Sequence, residues 1–496
     1  MSNNFLYEIE ATSERRKQEI IHAEDNVTIS GQSYFVSNNG DDDLDGTTPN
    51  TAWRTLQKVT EAPLKRGDGV FFRRGDIFRG KLFAQEGVTY AAYGQGPKPK
   101  LYGSTENLAK PECWELVDEK HHIWKCTKNL HDAGTLVFNE GERWSRKLIP
   151  SFVNGTFVCR LNPSKPFRME EEMTKDLDLF NKYIERVEAR NFGGKTYMLP
   201  ISHLEFQGEM YLRCDEGNPG ECFWSIETLP ARHIIRVGNQ PDVHIDNLCL
   251  KYGGAHGISA GGHVVGLRVT NCEIGWIGGC IQHYDGTDPN FPEVGPGQVT
   301  RYGNGIEVYG GCENFEVSNC YFYQIYDAAM THQITANEKE YKMENVLYKD
   351  NLVENCVYSI EYFLEKRPEN QSHMRGIEIC GNILRFAGYG WGQQRPNVDS
   401  PAHIKSWHHN NTASEFYIHD NIFDRAAYRM LHLVAHEQES VPKLYNNTYI
   451  QNSGGLIGQY GQFNGKAPEM LVFDEEAREH IVKQLGDSEA IVHTVL

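Results

Sequence analysis

The sequence predicts an all-β solenoid in which short strands wind into stacked coils, and two observations support this fold. First, strand-like runs that end in a polar residue and Asn recur along the chain, at Asn247, Asn271, Asn319, Asn351, Asn382, Asn421 and Asn447. Three short strands with their turns need about 20–25 residues per coil. The interval from Asn247 to Asn271 (271 − 247 = 24) matches one such coil.

The second observation is a further strand-like run after each Asn. Ile258 to Asn271 and Ile306 to Asn319 both span 13 residues, which indicates that the two runs occupy the same position in successive coils. The longest interval between recurrent Asn residues (319 − 271 = 48) contains a Gly/Pro-rich insertion at residues 285–303. The repeat therefore supplies coils of variable length whose extra residues form loops.

The recurrent Asn residues are expected at turns. Asn tolerates the left-handed backbone conformation, and its amide is able to stack on the same amide one coil away. The repeat therefore predicts a ladder of side-chain amides along one edge of the solenoid. An Asn-rich β-sandwich is the alternative that the turns alone leave open.

Composition narrows the classes of partner and compartment. The chain has 496 residues with 39% hydrophobic and 23% charged, which excludes a wholly disordered or membrane-embedded protein. Its formal net charge of −18 disfavours nucleic acid and anionic lipid as partners. The N-terminus has no basic, apolar leader, and the 12 cysteines include no C-x-x-C pair. These features predict reduced thiols and a cytoplasmic protein.

The N-terminal region carries a family resemblance. Tyr34-Phe-Val-Ser-Asn-Asn-Gly, then Asp45-Gly-Thr-Thr-Pro and Trp53-Arg-Thr-Leu-Gln-Lys, resemble the N-terminal cap of pectate-lyase-like proteins, with Gly67-Asp-Gly-Val-Phe-Phe as the first coil. The resemblance covers about residues 34–104 and 232–459 and implies a right-handed parallel β-helix. The superfamily contains lyases, hydrolases, epimerases and adhesins, so the coils alone indicate no reaction.

We expect five regions. They are an N-terminal helical extension (1–32), an N-terminal cap with the first coils (33–104), an inserted mixed subdomain (105–231), the main β-helix with a groove (232–465) and a C-terminal capping helix (466–496). Within the insertion, residues 169–188 form a predicted helical run. Residues 468–485 have helical apolar spacing and would cover the last open coil.

Strand parity predicts which side chains form the groove. The inward positions are Ile306, Met330, Ile360, Ile404 and Leu431. The outward column is then Glu307, Thr331, Glu361, Lys405 and His432. Two residues further along, the same face carries Tyr309, Gln333, Phe363 and Trp407. Aromatic faces beside hydrogen-bonding groups suit sugar rings.

The catalytic hypothesis rests on paired carboxylates. Glu361 interrupts an apolar strand, where an unpaired carboxylate is costly if it is buried. Hydrolysis of a glycosidic bond needs an acid and a second carboxylate. Asp327, one coil earlier, is the predicted partner, and Glu307 is a third candidate. A purely structural interpretation has Asp327 capping a turn and Glu361 pairing with Lys405.

A second resemblance supports a carbohydrate function. The patterns Y-D-A-A-M-T-H-Q, S-I-E-Y-F, G-Y-G-W-G-Q-Q-R-P and A-H-I-K-S-W resemble uncharacterised bacterial β-helix proteins associated with glycan use. They are also similar to β-helix glycosidases that carry an Asp and a Glu on adjacent coils, which implies those roles for Asp327 and Glu361. Trp391, Arg395 and His403 would lie in a loop beside that site.

These patterns predict a glycoside hydrolase that acts on an oligosaccharide. The predicted substrate-binding residues are Gln333, His403, Lys405, His432, Arg395, Tyr309, Phe363, Trp391 and Trp407. Of these, Tyr309, Phe363, Trp391 and Trp407 would be sugar platforms. We expect no metal, cofactor, nucleic acid or membrane, and the sequence leaves self-association open.

Two other functions stay open. A polysaccharide lyase or uronate epimerase would use Lys405, His403 or His432 as the base, often with Ca²⁺. No compact set of outward carboxylates is apparent for calcium, and the net charge of −18 is a poor match for a polyuronate. A non-catalytic glycan-binding β-helix would keep the aromatic wall without the paired carboxylates.

Overall fold

The structure is a computed structural model of the chain. It describes residues 2–128, 130, 132–153, 156–160, 167–168, 176–182, 187–192, 195–200, 209–287, 296–335, 339–365, 371–395, 401–407 and 412–496. The predicted all-β parallel β-helix with an inserted subdomain is confirmed. Each coil contributes a strand to each of three sheets, which we call the first, second and third sheets in the order in which a coil visits them.

The three sheets of the β-helix contain 11, 10 and 10 strands. The first sheet consists of Ser33–Val36, Gly69–Arg73, Thr89–Tyr93, His244–Asp246, Val264–Val265, Arg268–Thr270, Cys312–Ser318, Lys342–Lys349, His373–Cys380, Ala413–His419 and Lys443–Tyr445. The second sheet consists of Ile77–Arg79, Lys100–Tyr102, Cys249–Gly253, Glu273–Ile277, Tyr321–Ile325, Leu352–Glu354, Ile383–Ala387, Ile422–Ala426, Thr448–Asn452 and Ile491–Val495. The third sheet consists of Leu82–Phe83, Ile235–Arg236, Ile258–Gly261, Ile306–Tyr309, Ala328–Thr335, Tyr358–Glu365, Ala402–Ser406, Arg429–Ala435, Gly455–Gln462 and Leu471–Phe473.

The interior of the β-helix is apolar along its length. Each sheet sends aliphatic and aromatic side chains inward, as Val317, Phe322 and Met330 do in one coil, and all three are fully buried. Within the three sheets, strands pair in parallel except for Leu471–Phe473, which pairs antiparallel with Gly455–Gln462 and ends the third sheet. This stacking buries a continuous core that no single coil could form.

The inserted subdomain is built from sheets that are antiparallel except where Arg146–Val153 pairs in parallel with Asp178–Lys182. Its three-stranded sheet consists of Ala133–Phe138, Arg143–Trp144 and Ile226–Pro230. A seven-stranded sheet consists of Trp114–Asp118, Ile123–Cys126, Arg146–Val153, Thr156–Arg160, Phe167–Arg168, Asp178–Lys182 and Glu209–Arg213. A four-stranded sheet joins Val187–Phe192 and Lys195–Pro200 to the β-helix hairpin Cys280–Thr287 and Pro296–Tyr302.

A buried ion pair fixes the insertion to the β-helix. Lys147 Nζ lies 2.5 Å from Asp132 Oδ1, and the other carboxylate oxygen of Asp132 accepts the N–H of Ile281 at 2.7 Å. The guanidinium of Arg301 donates to the carbonyl oxygens of Gly279 and Gly134. These bonds connect the inserted sheets to the coil that precedes Glu307.

In the ranges that the structure describes, helices are few and lie outside the coils. The α-helices are Ser2–Ile21, Leu56–Glu61, Pro219–Cys222 and Ala477–Lys483, and the 3₁₀ turns are Pro49–Thr51, Pro111–Cys113, Asn139–Gly141, Trp391–Gln394 and Gln438–Ser440. The helix Ser2–Ile21 packs on the outer face of the second sheet, where Ile20 contacts Leu352 and Ile383. None of the helices in the described part of the chain is long and apolar enough to span a membrane.

Two helical predictions need correction. Within residues 169–188, Asp178–Lys182 is a strand, because it pairs with both Arg146–Val153 and Glu209–Arg213; residues 169–175 and 183–186 lie outside the described residues. At the C-terminus the capping helix is only Ala477–Lys483. The preceding apolar residues form an edge strand of the third sheet instead, since backbone pairing there outweighs the helical spacing.

A buried column of Asn amides runs along the turn between the first and second sheets. Asn351, Asn382, Asn421 and Asn447 each donate an Nδ2–H to the side-chain oxygen one coil further on, at 2.9–3.0 Å, and the last acceptor is Asp487. The backbone N–H of each Asn donates to the same oxygen. The predicted amide ladder is therefore confirmed for these four residues.

The recurrent Asn residues nevertheless form two columns instead of one. Asn247, Asn271 and Asn319 have φ values of 52–58° and occupy the left-handed position of the turn. In later coils that position belongs to the residue before the ladder Asn, for example Asp350 and Asp420, both with φ 56°. In the earlier coils Cys272 and Cys320 occupy the ladder position, and the N–H of Cys320 donates to Asn351 Oδ1 at 2.9 Å.

Asn421→Ala should lower the free energy of unfolding by about 3 kcal/mol, because it leaves buried donors and acceptors of Asn382 and Ile379 without partners. Urea denaturation monitored by circular dichroism measures the change. Asn446→Gly is the matched control: Asn446 is the exposed turn residue, with φ 56°, that precedes the next ladder residue Asn447, and glycine adopts that conformation without strain. Equal stability of the two variants would contradict a structural role for the ladder.

Candidate active site

The register of the third sheet builds the candidate site. Ile306, Met330, Ile360, Ile404 and Leu431 are paired in succession and fully buried inside the coils. The next residue of each strand forms the outward column Glu307, Thr331, Glu361, Lys405 and His432. This register is the one that the sequence predicts. Adjacent members lie about 4.8 Å apart because that is the spacing of paired strands.

Glu361 is the most deeply buried acid of the column. Only 3% of the residue is exposed, and its Oε1 has no hydrogen-bond partner among the described residues. Burial, and next the nearby Asp327 carboxylate, raise the pKa of Glu361 well above its ordinary value. Lys405 and Arg395 oppose that shift without cancelling it. Glu361 therefore retains its proton at a pH where an exposed glutamate is ionised.

Asp327 lies in the short turn that leads from the second sheet to the third. Its backbone is fixed on both sides, since its N–H donates to the Gly303 carbonyl and its own carbonyl accepts the N–H of Tyr358. Its carboxylate accepts a hydrogen bond from Arg395. Asp327 and Glu361 thus belong to adjacent coils and interact electrostatically across one strand spacing.

A loop from a later coil delivers Arg395 to this position. Residues 388–395 cross back over earlier coils, and Trp391 Nε1 donates to the Gln324 carbonyl at 2.8 Å. The side chain of Gln394 accepts the Lys147 N–H and donates to the Ser145 carbonyl, both at 2.8 Å. The loop is therefore anchored to both the β-helix and the insertion.

Lys405 lies next to Glu361 within a frame of aromatic rings. Its Nζ is 3.4 Å from the ring centroid of Trp407 and 4.6 Å from that of Tyr358, and it donates to the Tyr358 hydroxyl at 3.3 Å. Burial lowers the pKa of Lys405 to about 7, although Glu361 opposes the shift. Because burial disfavours the charged form of both groups, Glu361 and Lys405 are each driven toward neutrality.

Glu307 is held by a histidine from the preceding coil. His256 Nε2 lies 2.5 Å from Glu307 Oε2, while His256 Nδ1 accepts the backbone N–H of Asn304 at 2.9 Å. The hydrogen-bond pattern therefore assigns the ring proton to Nε2, which donates to the carboxylate. His233 stacks on His256 with ring centroids 5.1 Å apart. Glu307 also accepts the Gln333 side-chain amide at 3.5 Å.

Several buried polar atoms of this wall have no partner in the described part of the chain. They are Glu361 Oε1, Thr331 Oγ1 and Gln333 Oε1. Thr331 pairs directly with Glu361, and Gln333 lies two residues further along the same strand, so the three atoms belong to neighbouring outward positions. Buried polar groups are nearly always hydrogen-bonded. This concentration of unpaired atoms indicates a surface that is complementary to a polar ligand.

The remaining predicted residues are divided between the wall and the interior. Tyr309 is 40% exposed at the edge of the wall. Phe363 and Trp407 follow two and three coils later. His432 Nδ1 donates to the Ser406 carbonyl. Trp391 is fully buried instead, packed on Tyr326 with ring centroids 5.1 Å apart. The prediction that Trp391 is a sugar platform is therefore wrong, since its role in the loop requires burial.

His403 also differs from its prediction. It lies within the strand Ala402–Ser406 instead of a loop, is fully buried, and contacts Ser359 Oγ and the Phe423 ring in the interior. Burial lowers the pKa of His403 to about 3. Two consecutive positions of this coil, those of Ser359 and Ile360, face inward, and simple alternation therefore fails at the start of the strand.

Sequence reasoning missed Tyr358 and His256. The inward turn at Ser359 directs Tyr358 outward, where its ring meets Trp407 edge-on at 6.2 Å between centroids. An apolar-looking strand start gave no signal for this contact. The signal for His256 was its position two residues before the strand Ile258–Gly261, directly beside the coil of Glu307.

One group of residues in the described part of the chain has the donor set of a metal site, and it lies on a different sheet from Glu307 and Glu361. Ligand atoms of Glu378, Cys380 and His419 lie within 4.8 Å of one another on the first sheet. His419 is already bonded to Glu378 and Asp420, which explains the cluster without an ion. The expectation that the active site needs no metal stays a prediction.

Comparison with known proteins gives distant structural likenesses. No protein-family model matches the chain, and no curated protein sequence matches it. XylC in complex with xylose is 12% identical with a TM-score of 0.43, over 93% of this chain and 83% of XylC. A GH136 lacto-N-biosidase from Eubacterium ramulus is 11% identical with a TM-score of 0.38, over 98% of this chain and 70% of that enzyme.

A polygalacturonase from Erwinia carotovora is 10% identical with a TM-score of 0.27, over 86% of this chain and 94% of the other. No substrate or residue role follows from these likenesses. The chain is a parallel β-helix protein by its own strand pairing, and this is the fold that its resemblance to the pectate-lyase-like superfamily implies.

Trp391→Ala should lower the free energy of unfolding by about 4 kcal/mol, because it opens a cavity between the loop and the Tyr326 ring. Tyr309→Ala is the control from the exposed edge of the wall and should change stability by less than about 0.5 kcal/mol. Chemical denaturation of both variants tests the corrected role of Trp391. A stability loss confined to Tyr309→Ala would contradict it.

Glu361→Gln should stabilise the protein at pH 7 by about 1–2 kcal/mol, because it replaces a buried titratable acid by a neutral isostere. A carboxyl group with a raised folded-state pKa binds its proton more tightly in the folded protein. The wild-type free energy of unfolding therefore falls as pH rises above the ordinary value of 4.5 toward the folded-state pKa.

The stability difference between Glu361→Gln and wild type should accordingly vanish below pH 4.5 and grow above it. Denaturation midpoints measured from pH 4 to 8 provide the test, and the exposed Glu437→Gln is the control. A difference that is constant over this range would contradict the burial of a titrating Glu361.

Proposed function

We propose that the protein is a glycoside hydrolase that cleaves an oligosaccharide through the carboxyl groups on adjacent coils of the third sheet. The observation that carries the proposal is the burial of Glu361, which raises its pKa and leaves its Oε1 without a described partner beside the unpaired oxygens of Thr331 and Gln333. A neutral carboxylic acid is the proton donor that glycosidic bond cleavage requires. The neighbouring unpaired oxygens suit the hydroxyl groups of a sugar.

Each residue has a defined task in this reaction. Glu361 gives its proton to the glycosidic oxygen as the bond to the anomeric carbon breaks, and the leaving sugar departs with that proton. Asp327 either attacks the anomeric carbon or takes a proton from the attacking water, and the separation of the two carboxyl groups in the complex with substrate decides between these roles. Arg395 positions Asp327 through their ion pair.

Glu307 and the rings complete the sugar-binding wall. Glu307, held by His256, binds hydroxyl groups or acts as a third carboxylate. Tyr309, Phe363 and Trp407 offer apolar faces along the same side, where sugar rings stack. The inserted region is proposed to form a wall at the neighbouring end of the groove. Tyr302, which belongs to the β-helix hairpin that pairs with the insertion, packs edge-on against His256 with ring centroids 5.1 Å apart.

A lyase is the second candidate, and the observation that favours it is the pKa of Lys405, which burial lowers to about 7. A neutral amine at neutral pH is a competent base for removing the proton beside a uronate carboxylate. Lys405 is adjacent to Glu361 in the column, so both reactions would use the same wall. The two functions differ in the residue whose loss abolishes turnover.

The cellular setting remains part of the proposal. The eleven cysteines whose side chains the structure describes are free, which supports the prediction of a reducing, cytoplasmic compartment. Self-association is compatible with the fold and stays open.

Glu361→Gln should lower kcat by about 10³-fold or more on a hydrolysed oligosaccharide, because amide nitrogen supplies no proton to the leaving oxygen. Lys405→Met should raise KM and keep kcat within about tenfold. Product masses and ultraviolet absorbance, measured on a panel of neutral and uronate-containing oligosaccharides, read out the reaction: hydrolysis adds water, whereas a lyase leaves an unsaturated sugar.

The pair of variants separates the candidates. Unsaturated products that disappear in Lys405→Met but persist in Glu361→Gln would overturn the hydrolase and support the lyase. Binding of an oligosaccharide without turnover by wild type, retained in Glu361→Gln, would support a non-catalytic glycan-binding protein instead.

A further inference from the structure

Two cationic side chains face one aromatic ring at the N-terminal end of the third sheet, and a third cation acts on one of them. Phe83 is 40% exposed, Lys81 Nζ lies 4.4 Å from its ring centroid, and the Arg236 guanidinium carbon lies 6.0 Å from it. Arg232 is close enough to act on Lys81: burial lowers the pKa of Lys81, and the charges of Arg236 and Arg232 lower it further. We call Lys81, Phe83, Arg232 and Arg236 the basic cluster.

Among the described residues, the basic cluster lacks the acidic partners that Arg395 and Arg385 have. Arg395 pairs with Asp327, and Arg385 pairs with three carboxylates. Within the described residues, no carboxylate forms an ion pair or hydrogen bond with Arg232, and burial alone lowers the pKa of Arg232. In a chain with net charge −18, three neighbouring cations that have no ion-pair partner in the described part of the chain are a specific feature.

The basic cluster is continuous with the candidate active site. Phe83 pairs with Arg236, Arg236 with Ser259 and Ser259 with Glu307, so all four belong to the outward column that continues to Glu361. Two strand spacings separate Arg236 from Glu307, which corresponds to about 10 Å. His233, the residue after Arg232, stacks on the His256 that binds Glu307.

We propose that the basic cluster is a subsite for an anionic group on the substrate, a carboxylate or a sulfate ester of an acidic sugar. Arg232 and Arg236 bind the anion through charge-assisted hydrogen bonds, and Lys81 adds a third positive charge. Phe83 stacks on the apolar face of the same sugar. The substrate is then an acidic oligosaccharide whose charged unit lies on the N-terminal side of the bond that is cleaved. This inference rests on the proposed function for its substrate, but the binding site stands on its own residues.

A purely structural role does not explain the basic cluster. Like charges at close range repel one another, and here Lys81 and Arg236 face an exposed ring while the charges of Arg236 and Arg232 both act on Lys81. Removal of Arg232 and Arg236 should therefore leave the free energy of unfolding unchanged or raise it. A bound anion would convert this repulsion into attraction.

The test measures binding of glucuronate, glucose 6-sulfate and glucose to the full chain by ligand-observed NMR titration at low ionic strength. Glucuronate or glucose 6-sulfate should bind wild type at least about tenfold more tightly than glucose, and the Arg232→Gln/Arg236→Gln variant should lose that preference. The more tightly bound acidic sugar identifies the anion as carboxylate or sulfate.

Arg15→Gln/Arg375→Gln is the matched control, since it removes the same charge from two exposed arginines outside the groove. It should retain the preference, and added salt should weaken acidic sugars more than glucose. Equal binding of all three sugars to wild type, or an equal loss in both double variants, would overturn the inference.

The outcomes for the subsite and for the proposed function are distinguishable. Preferential binding of acidic sugars without hydrolysis of any oligosaccharide would support the subsite and count against the hydrolase. Hydrolysis that depends on Glu361, together with no preference for acidic sugars, would support the hydrolase and overturn the subsite.

Discussion

The register between successive coils is the constraint on which the rest of the structure depends. Parallel strands pair residue for residue from coil to coil, so a side chain that faces outward in one coil has outward neighbours about 4.8 Å away in the next. A one-residue slip would turn Glu361 inward and Ile360 outward. The apolar interior and the amide ladder from Asn351 to Asp487 both oppose such a slip. The geometry of the outward column is thus a consequence of backbone pairing.

Much of the fold was predictable because the same residue types recur at the same position of successive coils. The recurrent Asn residues and the equal spacings after Ile258 and Ile306 indicate coils directly. The assignment of all seven Asn residues to one column failed because two adjacent turn positions both favour Asn, one for its left-handed backbone and one for its amide. Backbone conformation and hydrogen bonds distinguish Asn319 from Asn351, and a sequence pattern contains neither.

The candidate site likewise has features that the sequence predicts and features that it does not. The outward column follows from alternation, and its register from Glu307 to His432 agrees with the prediction. Local departures from alternation were not predictable: consecutive inward positions at Ser359 and Ile360 bury His403 and turn Tyr358 outward. The loop that buries Trp391 and brings Arg395 to Asp327 depends on contacts across 67 and 68 residues of sequence, which no local pattern encodes.

The β-helix also explains why one wall is able to hold several polar and charged groups that have no partner among the described residues. Backbone pairing and the apolar interior stabilise each coil, so the outward side chains of the third sheet contribute little to folding stability. The unpaired oxygens of Glu361, Thr331 and Gln333 and the repulsion among the cations near Phe83 lower stability, and these groups lie on or beside this one sheet. Groups that destabilise the free protein in this way are those that a polar, charged ligand stabilises on binding, because it supplies the missing partners. The cost to folding and the capacity to bind thus have the same physical origin.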